Sequence, residues 1–295
     1  MQEEHNGQDI QTVWFDRGSG GLELLRIYNR LGEATIYLHG AHIASYKKRG
    51  EAELLFMSPH SVFEEGRPMR GGIPICFPWF GQHPDDSALP LHGFVRTMIW
   101  RLESQCNEVD GSTTVTLVLS DTKETRSMWD HRFSLALSVN VGSQMKISLE
   151  VTNTGGHAFD FSAALHTYYA VGALKGTSVD GLDGTKGVDR LTNIPFVQKG
   201  RVTVEGAYQH LYCDAGTRVL LHDPLMARSV AMEQTGWANI LIWNPGEEAA
   251  RANKEILDAW QDFLCVEHVN NDRSQVHLEA GDTHHSELVI GVAHS

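Results

Sequence analysis

Three consecutive segments alternate apolar and polar residues with a period of two, and that pattern confines this chain to β architecture. Val115, Leu117 and Leu119 alternate with Thr114, Thr116 and Val118. Phe133, Leu135, Leu137, Val139 and Val141 alternate with Ser134, Ala136, Ser138 and Asn140. Ile147, Leu149 and Val151 alternate with Ser148, Glu150 and Thr152. Successive side chains of a strand point to opposite faces, so the segments predict three half-buried strands of an antiparallel meander. Gly142-Ser143 and Asn153-Thr154-Gly155-Gly156 supply turn chemistry between and after them.

Shorter runs of the same kind recur at 202–204, 218–222, 229–232, 239–243, 263–267 and 287–292. Asp183-Gly184, Asn244-Pro245-Gly246 and Ala280-Gly281-Asp282 mark turns among them. Helical periodicity is scarce: 253–263, where Ile256, Leu257 and Trp260 share a face, and a short turn after Thr122. Many short strands with polar turns predict an all-β sandwich or barrel. No linker, repeat or low-complexity tract divides the chain, so 1–295 reads as one domain.

The 24 Lys and Arg against 37 Asp and Glu give a formal charge of −13. Such a surface repels nucleic acid and anionic membrane, so positive charge that meets an anionic ligand must be local. Cys76, Cys106, Cys213 and Cys265 are scattered and form no CxxC pair, the usage of a reduced intracellular protein. The first eleven residues have no basic or apolar region of a signal peptide, and no run has the length of a membrane span. A cytoplasmic location is expected.

Three segments hold the chemistry-bearing residues. Arg67-Pro68-Met69-Arg70-Gly71-Gly72-Ile73-Pro74-Ile75-Cys76-Phe77-Pro78-Trp79-Phe80-Gly81 suits a shaped loop more than a strand, and Leu89-Pro90-Leu91-His92-Gly93-Phe94-Val95-Arg96 follows closely. Arg70 and Arg96 would suit one phosphate, whose geometry the guanidinium fork matches, and would equally suit surface ion pairs. His166 lies in the apolar run Ala164-Leu165-His166-Thr167-Tyr168-Tyr169, as a core histidine would. Glu267 ends the apolar run 263–267, either as an exposed strand end or as a desolvated general base of raised pKa. His39 and His42, three apart, fall on opposite faces if a strand continues through both, which argues against a shared metal. His222 with Asp223, and His284-His285, lack further ligands at metal-site spacing. Phosphate-loop and dinucleotide fingerprints are absent.

In order, Arg70-Gly71-Gly72-Ile73-Pro74 with Pro78-Trp79-Phe80-Gly81, His92-Gly93-Phe94-Val95-Arg96, Leu165-His166-Thr167-Tyr168, Asn244-Pro245-Gly246 and Val266-Glu267 resemble the hexose-6-phosphate mutarotases, a branch of the aldose 1-epimerase family. His39-Gly40-Ala41-His42 resembles the family's early strand, so the likeness runs from about Leu38 to about Val269. The resemblance implies a galactose-mutarotase-like β-supersandwich of two large antiparallel sheets with a cleft. It implies His166 as general acid, Glu267 as general base, Arg70 and Arg96 at the phosphate end, and a sugar-binding role for His92. Where the family often has an acidic residue before the tyrosine matching Tyr212, this chain offers Gln209, which hydrogen-bonds a hydroxyl less strongly than a carboxylate would.

The implied reaction is interconversion of the α and β anomers of glucose 6-phosphate. Glu267 takes the C1 hydroxyl proton, protonated His166 gives one to the ring oxygen, and the roles reverse when the ring closes on the other face. No metal or other cofactor is needed, the partner is a hexose 6-phosphate, and a monomer is expected. Three other readings stand beside it: an epimerase of unphosphorylated aldoses, a carbohydrate-binding protein without catalysis, and a structural or regulatory sandwich protein, which would leave the arginine loops unexplained.

Overall fold

The alternating segments become hydrogen-bonded neighbours. The computed structural model describes residues 12–271 and 274–293. In it Thr113–Ser120, Phe133–Val141 and Met145–Asn153 form the expected meander, with Leu117 opposite Leu137 and Leu137 opposite Leu149. Their inward residues are fully buried and the intervening ones partly exposed, as the period demands.

This meander is a third of a nine-stranded antiparallel sheet. Its order is Val202–Thr203, Ser178–Asp180, Arg218–Asp223, Arg228–Thr235, Thr283–Ala293, Met145–Asn153, Phe133–Val141, Thr113–Ser120 and Arg101–Asn107. A second, eight-stranded antiparallel sheet runs Ile194–Val197, Lys186–Asp189, Tyr208–Tyr212, Asn239–Asn244, Phe263–Asn270, Ala163–Leu165 and Ile75–Cys76, with Tyr168–Ala170 also paired to Phe263–Asn270. Among the described residues a four-stranded sheet, Val13–Arg17 to His42–Lys48, and a two-stranded ribbon complete the β structure. Two large antiparallel sheets with few short helices are the expected fold class.

One apolar cluster joins the layers, drawing on residues from Val13 to Ile290. Leu165, Tyr169, Ile240, Ile242, Leu264 and Val266 bring one face of the eight-stranded sheet into it, against Leu117, Leu137, Leu149 and Ile290. Each large side chain so buried contributes roughly 1.5–3 kcal/mol. The opposite face of that sheet carries two small clusters, Cys76, Ala164, Leu211, Leu241 and Val269, and Tyr168, Phe263 and Cys265 with Ala250, Ile256 and Ala259. The functional candidates lie on this second face.

The turn after Thr122 is the helix Lys123–Met128, held by a reciprocal capping box between Thr122 and Thr125. The helix expected at 253–263 is not formed as such. An α-helix occupies Gly246–Ala252, Asn253 ends it, and a 3-10 segment follows at Leu257–Asp262. The Asn253 side chain accepts from the Glu255 amide at 3.0 Å, and Leu257 has φ of 51°, a left-handed backbone that interrupts a helix. His39 and His42 do not share a strand either. Gly40 and Ala41 between them have φ of 74° and 46°, so a tight turn separates the two rings and the opposite-face premise fails. Among the described residues no helix is long and apolar enough to cross a membrane.

Candidate active site

Strand register brings together two residues a hundred apart in sequence. Leu165 pairs with His268 and Tyr168 with Cys265 along the Phe263–Asn270 strand. The same register carried across the break at 166–167 sets His166 opposite Glu267, and directly opposed residues share a face. The imidazole Nε2 lies 3.4 Å from the Glu267 carboxylate. Glu267 is not a strand end: the strand continues to Asn270, and all eight of its residues are buried. With 1% of its side chain exposed, the carboxylate is desolvated, which discards the solvent-exposed alternative.

Burial sets the protonation of this pair. It raises the Glu267 carboxyl well above the usual carboxylate range, although Arg96 draws it back. It lowers the His166 imidazole well below the usual histidine value, reinforced by the charges of His92, Arg96 and Arg70. A neutral imidazole and a carboxylic acid, sharing one proton, are therefore the favoured state of the pair.

Loops bring in the remaining candidates. Arg70 precedes Gly71, whose φ is 113° and where a Cβ would stand 2.4 Å from the Phe56 carbonyl oxygen. Only glycine permits that approach. The Gly72 amide donates to Phe56 and its carbonyl accepts from Tyr168, at 2.6 and 2.9 Å, so the loop is bonded on both sides. From there Arg70 Nη1 donates to the Tyr168 hydroxyl at 3.2 Å, and Nη2 lies 3.6 Å from Glu255 Oε2. Tyr168 in turn stacks on the His166 ring, with centroids 5.0 Å apart and planes 11° from parallel.

Gly93, with φ of 73°, fixes the second loop: a Cβ there would meet the Phe77 carbonyl oxygen at 1.9 Å. His92 before it stands edge-on to His166, with centroids 5.5 Å apart. His92 Nδ1 accepts the Gly81 amide at 3.1 Å, and burial together with Arg96 and Arg70 lowers this ring to about 3. A neutral ring that accepts at Nδ1 carries its proton on Nε2, where it can donate to a ligand oxygen. Arg96 follows in a 3-10 turn, its Nη2 donating to the Leu91 carbonyl at 2.6 Å. Arg70 and Arg96 feel each other's charge and that of Glu255. Both guanidinium charges act on His166, a local positive charge of the kind an acidic chain needs for an anion.

Gln209 sits on the strand Tyr208–Tyr212 opposite Trp243, which is opposite Cys265, which is opposite Tyr168. It therefore shares the face of Glu267, one row away. Four residues of the site were not among the sequence candidates. Tyr168, Cys265 and Trp243 line His166 and Glu267; Cys265 is two residues from Glu267 on the same strand, so the alternation could have found it, and Tyr168 is two residues from His166 across the break. Glu255 comes from the irregular stretch after Asn253, which carries no periodic signal. Asn244, in the Asn-Pro-Gly motif, binds the Trp260 and Phe263 carbonyls at 2.8 and 2.9 Å and accepts from the Gly246 amide. It is a brace for the segment beside the site.

The aldose 1-epimerase pattern matches residues 23–291, nearly the whole of the described chain. The chain belongs to the aldose 1-epimerase family. The "Putative glucose-6-phosphate 1-epimerase" of Escherichia coli (strain K12) is 31% identical over 263 residues, 88% of this chain and 87% of that protein. The crystal structure of a "putative mutarotase" from Salmonella typhimurium superposes with a TM-score of 0.89 at 28% identity, covering 96% of this chain and 94% of that one. A galactose mutarotase related enzyme from Lactobacillus acidophilus superposes with a TM-score of 0.74 at 16% identity, over 92% of this chain and 97% of that one, and so shares the fold. The epimerase family thus has in this member a buried imidazole–carboxyl pair with two arginines beside it.

Proposed function

We propose that this epimerase interconverts the α and β anomers of hexose 6-phosphates, glucose 6-phosphate above all. The observation that carries the reading is the 3.4 Å contact between His166 and Glu267, on which the charges of Arg96 and Arg70 act. Ring opening needs one group to take the C1 hydroxyl proton and another to protonate the ring oxygen. In the ion-pair form Glu267 is the carboxylate base and His166 the imidazolium acid. When both protons have moved, the sugar is the open aldehyde and the pair is neutral, a carboxylic acid beside an imidazole. Rotation about C1–C2 and closure on the other face return both protons.

The desolvation described above favours that neutral pair. The environment therefore favours the protonation state that accompanies the open ring. Arg70 and Arg96 would bind the 6-phosphate and set C1 against the pair. His92 would donate its Nε2–H to a ring substituent, and Gln209 would meet the sugar hydroxyls from the neighbouring row. No metal or cofactor takes part in these steps.

Exchange NMR of glucose 6-phosphate anomers tests the reading. The purified protein is expected to accelerate α–β exchange, and the Glu267→Gln variant to lack the acceleration while still broadening the sugar resonances. Broadening by both proteins with no acceleration by either would replace the enzyme with a sugar-binding protein.

A further inference from the structure

Ring opening makes no use of the third polar side chain on the site floor. Cys265 lies two residues before Glu267 on the same strand, faces the same side and is fully buried. One donor atom from each of His166, Cys265 and Glu267 lies within 4.8 Å of the other two. Two further buried polar atoms of the same residues, His166 Nδ1 and Glu267 Oε2, have no hydrogen-bond partner, so the second carboxylate oxygen is available to a ligand.

We propose that His166, Cys265 and Glu267 form a three-donor site for a soft divalent cation, zinc or cadmium, whose binding disables the acid–base pair. The donor set selects the ion. Nitrogen, sulfur and one carboxylate suit zinc and cadmium, whereas magnesium and calcium require oxygen ligands throughout. The geometry agrees. Bonds of about 2.0 Å to nitrogen and oxygen put the corners of a tetrahedron about 3.3 Å apart, and the imidazole Nε2 and carboxylate Oε1 are 3.4 Å apart. The thiol, within 4.8 Å of both, supplies the third corner. The fourth position falls to water.

Charge balance also permits it. The cation displaces one proton from the thiol and one from the carboxyl, both leaving to solvent, so the coordinated site carries no more net charge than the neutral site did. Arg70, Arg96 and His92 face the same space. The arginines oppose a free cation but favour the thiolate and carboxylate that hold it. A metal here occupies the lone pairs on which proton transfer depends, so it inhibits. Catalysis itself remains metal-free.

The test is a zinc titration of anomer exchange, reversed by EDTA, in the parent and in Cys265→Ser, each compared with its own metal-free rate. The parent is expected to lose activity with a one-per-chain stoichiometry, and the serine variant to need roughly 100-fold more zinc, as loss of a ligand demands. Equal sensitivity of the two proteins overturns the site. Cobalt(II) supplies a readout that does not depend on turnover. The parent is expected to show a thiolate-to-cobalt charge-transfer band, weakened in Glu267→Gln and absent in Cys265→Ser. Cobalt bound without that band overturns the proposal, whatever sugar the enzyme accepts. If Cys265→Ser does not fold, the parent's band and its weakening in Glu267→Gln decide the matter.

Discussion

The floor of the site and its rim are held by different means. Glu267 sits on a hydrogen-bonded ladder and His166 in the short break between two strands paired to it, so register fixes the contact and the apolar core behind the sheet fixes the register. Arg70, His92 and Arg96 sit on loops, each set by a glycine in a conformation that other residues resist. The floor excludes water and so tunes protons; the rim stays partly open, with a quarter of the Arg70 side chain exposed. On the proposed function, the floor carries the chemistry and the loops the recognition of charge.

The largest expected effect comes from breaking the floor. His166→Ala or Glu267→Gln is expected to lower kcat roughly 10²–10⁴-fold, on phosphorylated and free sugar alike, because a positioned acid or base contributes that much. Circular dichroism would show the fold retained, and near-parental turnover by either variant removes that residue from the chemistry. Breaking the rim is expected to do less, and selectively. Arg70→Ala or Arg96→Ala gives up hydrogen bonds to a charged group, each set worth about 1.5–3 kcal/mol, so kcat/KM for glucose 6-phosphate falls about 10–100-fold while that for glucose hardly changes. Equal losses on both sugars contradict the division.

Glu255 sharpens the comparison further. It faces Arg70 at 3.6 Å and Arg67 at 4.0 Å, so on the proposed function it competes with the phosphate for the same guanidinium. Glu255→Gln is expected to lower KM for hexose phosphate by up to about 5-fold, the size of a partly exposed ion pair. Titration calorimetry with inorganic phosphate measures this directly, and unchanged affinity separates Glu255 from the anion site.

The smallest effect is on stability, and its sign follows from the two shifts. In the unfolded chain glutamate loses its proton near 4.5 and histidine near 6.5, whereas in the native pair Glu267 keeps its proton to higher pH and His166 stays neutral to lower pH. Below 4.5 the unfolded state binds more protons and stability falls with falling pH. Between 4.5 and 6.5 the counts match. Above 6.5 the native state binds more, and stability falls as pH rises towards the raised Glu267 pKa, at up to about 1.4 kcal/mol per pH unit. Glu267→Gln keeps only the histidine part, so its stability rises to about pH 6.5 and is level above it. Urea denaturation across pH 4–9 reads both profiles, and an identical alkaline decline in the two proteins contradicts the raised carboxyl.

Much of the floor was legible in the chain, because period two carries through 133–141 and 263–267 and tells which residues share a face. Register is not in the pattern, so the opposition of His166 to Glu267 needed the folded ladder. The same limit placed Glu267 at a strand end, since nothing in Glu267-His268-Val269-Asn270 announces that a buried strand continues through two ionisable residues. The N-terminal sheet escaped because Glu23–Tyr28 buries Leu24 and Leu25 side by side, which blurs the alternation. The rim was legible only as glycines beside arginines; Glu255, from an irregular segment, was not legible at all.

The most direct test of this division is the ratio of enzyme-driven anomer exchange on glucose 6-phosphate to that on glucose, measured by NMR for the parent and for the Arg70→Ala/Arg96→Ala double variant. A high ratio in the parent that collapses in the double variant, with exchange on glucose preserved, is the predicted result. A ratio near one in the parent, or one that survives loss of both arginines, would contradict it.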